Sequence, residues 1–233
     1  MESLMSKSKL HIRCRRVMVL LNPMESKHSL VAARLIRRGW AEAVSIHAHL
    51  DGLLDAEANP NEMEAPHDKY IPINQQRVKR IRKTLVKNGL RGDLMEALGR
   101  IPKGTKMLVL NEFWCGDGAQ ILPVHEAMVE RANTKLEVRV LMRDAHLQVM
   151  DLFLTHGDRS IPMTVLLDAE LHILGTWGPR PAEAMSLARR IKADSSIAHT
   201  YNAEVHKWYA QNKQQNIQAE LAVLLEHAYK SGS

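Results

Sequence analysis

The apolar run Met107-Leu108-Val109-Leu110, followed by Trp114-Cys115-Gly116-Asp117-Gly118, constrains this chain more than any other feature. The run reads as a buried strand and the residues after Cys115 suit a helix, so the cysteine stands at a strand-to-helix turn. There the first free backbone N–H groups and the helix dipole favour a thiolate. Such a placement can lower a thiol pKa from about 8.5 to roughly 3.5–7.5. Redox motifs of this type usually carry a second cysteine three residues on, and here that position is Gly118. Asp117 acts both ways: its charge favours the helix start but raises the thiol pKa. A mild activation of Cys115 is therefore expected. Gly118 costs the helix about 0.5–1 kcal/mol relative to Ala and is expected to leave space beside the sulfur for a small thiol.

Two cysteines, Cys14 and Cys115, make no disulfide framework, so the chain reads as cytoplasmic, from a reducing compartment. Acids are sparse before residue 41, only Glu2 and Glu25, which leaves an organelle transit peptide as the minor alternative. No apolar run approaches a membrane span, and Val17–Leu21 is too short for the core of an export signal. Aromatic residues are 4% of the chain, too few for base-stacking platforms, and no nucleic-acid partner is expected. The net charge of +6 is concentrated. Lys69, Arg77, Lys79, Arg80, Arg82, Lys83, Lys87 and Arg91 occur with no acid before Asp93. Val78, Ile81, Leu85 and Val86 recur among them at helical spacing. This predicts an amphipathic helix whose basic face is solvated, or docks an acidic partner or an anionic thiol cofactor.

Residues 1–62 read as an N-terminal extension, disordered or loosely docked, with short helices near Leu30–Arg38 and Ala41–Leu54. Residues 63–105 form a basic helical lead-in, helical from Asn74 to Leu98 with a break at Asn88-Gly89. The core is 106–192. Strand Lys106–Asn111 is followed by helix Ala119–Asn133, interrupted at Pro123, strand Leu136–Leu141 and helix Leu147–Leu154. Strands Met163–Leu167 and Leu171–Trp177 form a hairpin over Asp168-Ala169, and helix Pro181–Lys192 follows. Residues 193–233 carry a long helix, Thr200–Tyr229. Its stripe of Leu221, Val223, Leu224, Leu225 and Tyr229 docks on the core, with dimerisation the minor alternative, so a monomer or weak dimer is expected. The fold class is α/β with one mixed sheet flanked by helices.

Several strings resemble one group of bacterial thioredoxin-like proteins. They are Trp114-Cys115-Gly116-Asp117 with Gln120 and Leu122-Pro123, Leu141-Met142-Arg143-Asp144, and Gly157-Asp158-Arg159-Ser160-Ile161-Pro162. Thr176-Trp177-Gly178-Pro179-Arg180-Pro181 and Trp208-Tyr209 complete the likeness, which covers roughly residues 66–227. The resemblance implies a thioredoxin-like fold with helical N- and C-terminal extensions. It also implies a cis Ile161-Pro162 peptide beside Cys115, and a substrate groove formed by Ser160, Ile161, Pro162, Trp177, Gly178 and Pro179. Trp114, Gly116, Asp117 and Gly118 would tune the site. Thioredoxins proper have cysteine at the position of Gly118, whereas a single cysteine in the WCGD motif is common in this group.

With Gly118 there is no neighbouring thiol to resolve a mixed disulfide. Cys115 is left with monothiol exchange, with proteins or with low-molecular-weight thiols and disulfides such as glutathione, or with a reversible sulfenic acid. No cofactor is expected to be bound. Cys14 is a remote candidate resolver. The rival reading is a redox-inactive binding module that uses the groove beside Cys115 and Pro162. His125, His146 and His156 are single histidines, Asp144 and Asp151 read as helix-start and solvent-face acids, and Trp177 and Trp208 as packing residues. His47 and His49 diverge on a helix, and no metal-binding cluster is expected. Gly116 and Gly118 lack the rest of a dinucleotide fingerprint.

Overall fold

Alternation along the strand Thr105–Asn111 decides the layout. Met107 and Val109 enter one apolar cluster, while Leu108 and Leu110 enter another. Side chains alternate between the faces of a sheet, so this strand is covered on both sides. The computed structural model describes residues 23–59 and 66–230. The strands are Val44–Ser45 (β1), Thr105–Asn111 (β2), Leu136–Met142 (β3), Met163–Leu167 (β4) and Ile173–Trp177 (β5). They form one mixed sheet in the order β1-β3-β2-β4-β5. β2 and β3 are parallel, and the other neighbours are antiparallel. Met107 stands between Val138 and Leu166, and Val109 between Val140 and Thr164.

Helices cover both faces. Pro23–Glu42 (α1) and Leu147–Met150 (α6) bring Ile36, Trp40, Val149 and Met150 against Leu108, Leu110, Met163 and Val165. The other face carries Ile46–Asp55 (α2), Ile71–Asn88 (α3), Gly92–Arg100 (α4) and Gly116–Arg131 (α5), which crosses over between β2 and β3. Ala182–Ala193 (α7), Tyr201–Asn212 (α8) and Gln215–Lys230 (α9) complete that layer. The protein is thus an α/β fold of the thioredoxin-like layout with helical extensions at both ends. Among the described residues no helix is long and apolar enough to cross a membrane.

Within residues 1–62, expected to be disordered or loosely docked, the stretch 36–53 is part of the packed body. Ile36, Ile46, Leu50 and Leu53 are all fully buried, and β1 pairs with β3. The helix expected over Ala41–Leu54 is interrupted by β1, and Ser45 caps α2 by accepting from the N–H of Ala48 at 3.2 Å. Because α1 and α2 dock on opposite faces of the sheet, their apolar residues do not share one period. Cys14 lies outside the described residues.

The basic helix is α3, and its inner face holds Ile71, Val78, Ile81 and Leu85. Val86 is 81% exposed, one residue out of phase. The basic face is not wholly solvated: Arg82 forms a two-pronged pair with Glu126 of α5, at 2.7 and 2.6 Å. Gln75 donates to the carbonyls of Leu53, Leu54 and Ala56, which satisfies the end of α2. The long C-terminal helix is two, α8 and α9, divided where Lys213 and Gln214 take positive φ of 50° and 63°. Neither residue is a glycine, so the break has no sequence signal. Leu221 and Leu225 are buried in α9, whereas Val223 is exposed. The helix expected over Leu147–Leu154 stops at Met150, and β5 starts at Ile173 because Leu171 turns through φ 70°.

Candidate functional site

Cys115 is the N-cap of α5. Its Sγ accepts from the N–H of Gly118 at 3.3 Å and donates to the carbonyl of Ile161 at 3.4 Å. The Ile161–Pro162 peptide is cis, as is Gly178–Pro179. Gly178 has φ 128°, and a Cβ there would run into the carbonyl oxygen of Pro162, so glycine is needed where the two loops meet.

Burial works against activation of the thiol. Burial pushes Cys115 up to about 12, and the Asp117 carboxylate adds to the rise, against the opposing N–H bonds of Gly118 and Asp117. The residue is only 5% exposed. The expectation of a lowered pKa fails here because the helix-terminus effect is smaller than the loss of hydration. Asp117 is itself buried and fully engaged. Arg180 meets both of its oxygens, at 2.8 and 2.5 Å, and the Tyr209 hydroxyl donates at 2.8 Å.

The space expected beside Gly118 is filled. A Cβ at Gly118 would overlap the Asn111 carboxamide, lying 2.8 Å from Cγ and 2.9 Å from Nδ2. Asn111 is held by its own bonds, with Nδ2 donating to the Glu112 carbonyl at 2.9 Å and lying 3.2 Å from His49 Nε2. Its Oδ1 is buried and has no hydrogen-bond partner. The last residue of β2 therefore occupies the place of a second cysteine's side chain.

A cleft of about 450 Å³ opens beside Cys115. Of the residues named from the sequence, Trp114, Cys115, Gly116, Asp117, Ser160, Ile161 and Pro179 line it. Gly118, Pro162, Trp177 and Gly178 do not. The Trp177 indole instead donates to Glu220 of α9 at 2.8 Å. The cleft also takes Arg77 from α3, Arg143, Arg159 and Arg180 from loops, Lys192 from α7, and Tyr201, Asn202 and His206 from α8. These were not singled out as site residues from sequence. The available signal is a recurring arginine inside the strings around Arg143, Arg159 and Arg180; in α8 the likeness marks Trp208-Tyr209, but nothing marks Tyr201, Asn202 or His206. Trp114 is framed by the Arg143 guanidinium, 5.0 Å over its ring, and by His67, at 4.7 Å between centroids.

The other candidates fall elsewhere. His125 is buried within α5 against Thr164, His146 bonds the Met142 carbonyl and Glu42, and His156 contacts Arg189. Asp144 and Asp151 pair with Arg143 and Arg159. Asp168, Glu170 and His172 bring ligand atoms within 4.8 Å of one another at the β4–β5 turn. The Asp168 carboxylate there already accepts from the turn's own N–H groups and faces the His172 ring.

The family model described as Thioredoxin matches residues 61–195. A crystal structure of a protein of unknown function from Pseudomonas aeruginosa is similar, with 23% identity and a TM-score of 0.53 over 67% of this chain and 86% of that one. An HIV epitope scaffold is similar at 22% identity and a TM-score of 0.50, over 76% of this chain and 96% of the scaffold. At these identities the likeness is one of fold. No curated protein matches the chain.

Proposed function

The chain belongs to the thioredoxin family, and on that premise we propose that its cleft is a binding surface in which Cys115 is held as a protonated, packed thiol. The observation that carries this reading is the state of Cys115: buried, donating to Ile161, and pushed up to about 12. At neutral pH a thiol raised in this way stays protonated, and the protonated form is a poor nucleophile for exchange.

Monothiol exchange is the second reading, favoured by the fact that Cys115 lines the cleft and accepts an N–H at the start of α5. In that chemistry the Cys115 thiolate attacks one sulfur of a disulfide and expels the other as a thiolate. A small thiol such as glutathione then attacks the mixed disulfide, restoring Cys115 and carrying away the bound half as a new disulfide. Its partners would be protein or low-molecular-weight thiols.

The alkylation rate of Cys115 against pH, in a Cys14→Ser background and beside free cysteine, separates the two. The binding reading expects labelling only on unfolding or at strongly alkaline pH. Fast labelling with a midpoint below about 8.5 would replace it with exchange.

A further inference from the structure

The cations of the cleft divide by their partners. Arg143, Arg159 and Arg180 are each matched to a carboxylate, on Asp144, Asp151 and Asp117. Arg77 and Lys192 have no carboxylate within ion-pair distance among the described residues. The Arg77 guanidinium is half-buried and donates to the Asn74 side chain at 2.8 Å, a neutral partner. The Lys192 ammonium lies 4.5 Å over the ring of Tyr201, which also receives Arg180 at 5.6 Å. The half-buried Arg77 cation is costly to hold without a counter-ion, and an anion arriving beside it offsets that cost, whereas Lys192 is exposed and adds a solvated charge at the rim.

Arg77 and His206 converge on one glycine, while Lys192 lines the same cleft beside Tyr201. Arg77 Nη1 and His206 Nε2 both overhang Gly116: a Cβ there would lie 3.1 Å from the first and 2.9 Å from the second. Glycine at 116 therefore lets two nitrogen groups approach the first turn of α5. His206 Nδ1 lies 3.5 Å from the Gln120 amide nitrogen; accepting from it would leave the ring's hydrogen on Nε2, facing the cleft. Tyr201 and Asn202 are the first residues of α8 and also line the cleft. Two helix starts thus border the same space, and helix starts favour negative charge.

We propose that this cleft holds a subsite for a small dianion, its charges met by Arg77 and Lys192 and its remaining oxygens by His206 and Asn202. The unpaired cations number two, which sets the charge, and a volume of about 450 Å³ suits a small molecule. The shared chemistry is two negative oxygen groups, from a phosphate ester or a dicarboxylate. Asp117 does not repel such a guest, since Arg180 and Tyr209 already hold its oxygens. The inference rests on the reading of the cleft as a binding surface. If Cys115 stays unlabelled and no dianion binds, the dianion inference alone falls; if dianions bind and Cys115 labels fast, the packed-thiol reading alone falls.

The test is isothermal titration calorimetry of the full chain with glycerol phosphate and, separately, succinate at low salt and neutral pH. Binding of either supports the subsite, and the tighter of the two identifies the source of the oxygens. Arg77→Gln and Lys192→Gln should each weaken that binding about tenfold or more. Arg77→Lys should recover part of the loss, and Arg38→Ala, on the outer side of α1, should leave the affinity unchanged. Circular dichroism and the thermal midpoint establish that each variant is folded. No heat with either anion at millimolar concentration, an equal loss in Arg38→Ala, or binding only of an acidic peptide would overturn the proposal.

Discussion

Gly118 and Asn111 are coupled at the scale of single residues. The carboxamide of Asn111 fills the volume that a side chain at 118 would need, so the missing second cysteine is matched by a residue that excludes it. A folded protein with Gly118→Leu is not consistent with this packing. Gly118→Cys alone should cost about 1–3 kcal/mol by overpacking. Adding Asn111→Ala should recover a substantial part of that loss, and urea midpoints of the two single variants and the double variant measure the coupling. Additive effects would mean that Asn111 moves aside freely.

At the scale of elements, the N-terminal helices do what a loosely docked extension would not. α1 closes one face of the sheet and α2 the other, with β1 adding an edge strand between them. Burying Ile36, Ile46, Leu50 and Leu53 contributes on the order of 6–12 kcal/mol, comparable with the whole stability of an ordinary domain. A chain beginning at Met63, after the expected N-terminal extension, should therefore lack a cooperative thermal transition. A sharp transition in that fragment would show α1 and α2 to be dispensable.

At the scale of the whole molecule, two buried histidines make stability depend on acid. Burial pushes His49 and His125 down to about 4, against an ordinary value near 6.5. Between those values the unfolded chain binds protons that the folded one refuses. The stabilisation is therefore complete above pH 6.5 and is lost as the pH falls toward 4. Each histidine contributes about 3 kcal/mol at most by this route. Glu112, whose carboxyl burial pushes up, works in the opposite direction and offsets part of the loss. Urea midpoints measured between pH 7 and 4 should fall steeply below 6.5; a flat profile would mean that these histidines are protonated in the folded state.

The run 107–110, Trp114-Cys115 and the strings around Arg143, Pro162 and Pro179 are contiguous, and contiguity is what a sequence displays. They were enough to read the α/β order, the thioredoxin-like layout and the place of Cys115 at the start of a helix. The break at Lys213-Gln214 and the phase of Val86 were not legible, because neither rests on a glycine, a proline or an unbroken period. The condition of the thiol was decided by tertiary structure alone. Ile161 and Asp117 pack around it, and desolvation depends on everything that packs nearby rather than on the four residues of a motif. The cleft is of the same kind. Arg77, Lys192 and His206 are far apart in the chain and acquire a common purpose only where α3, α7 and α8 meet over the start of α5.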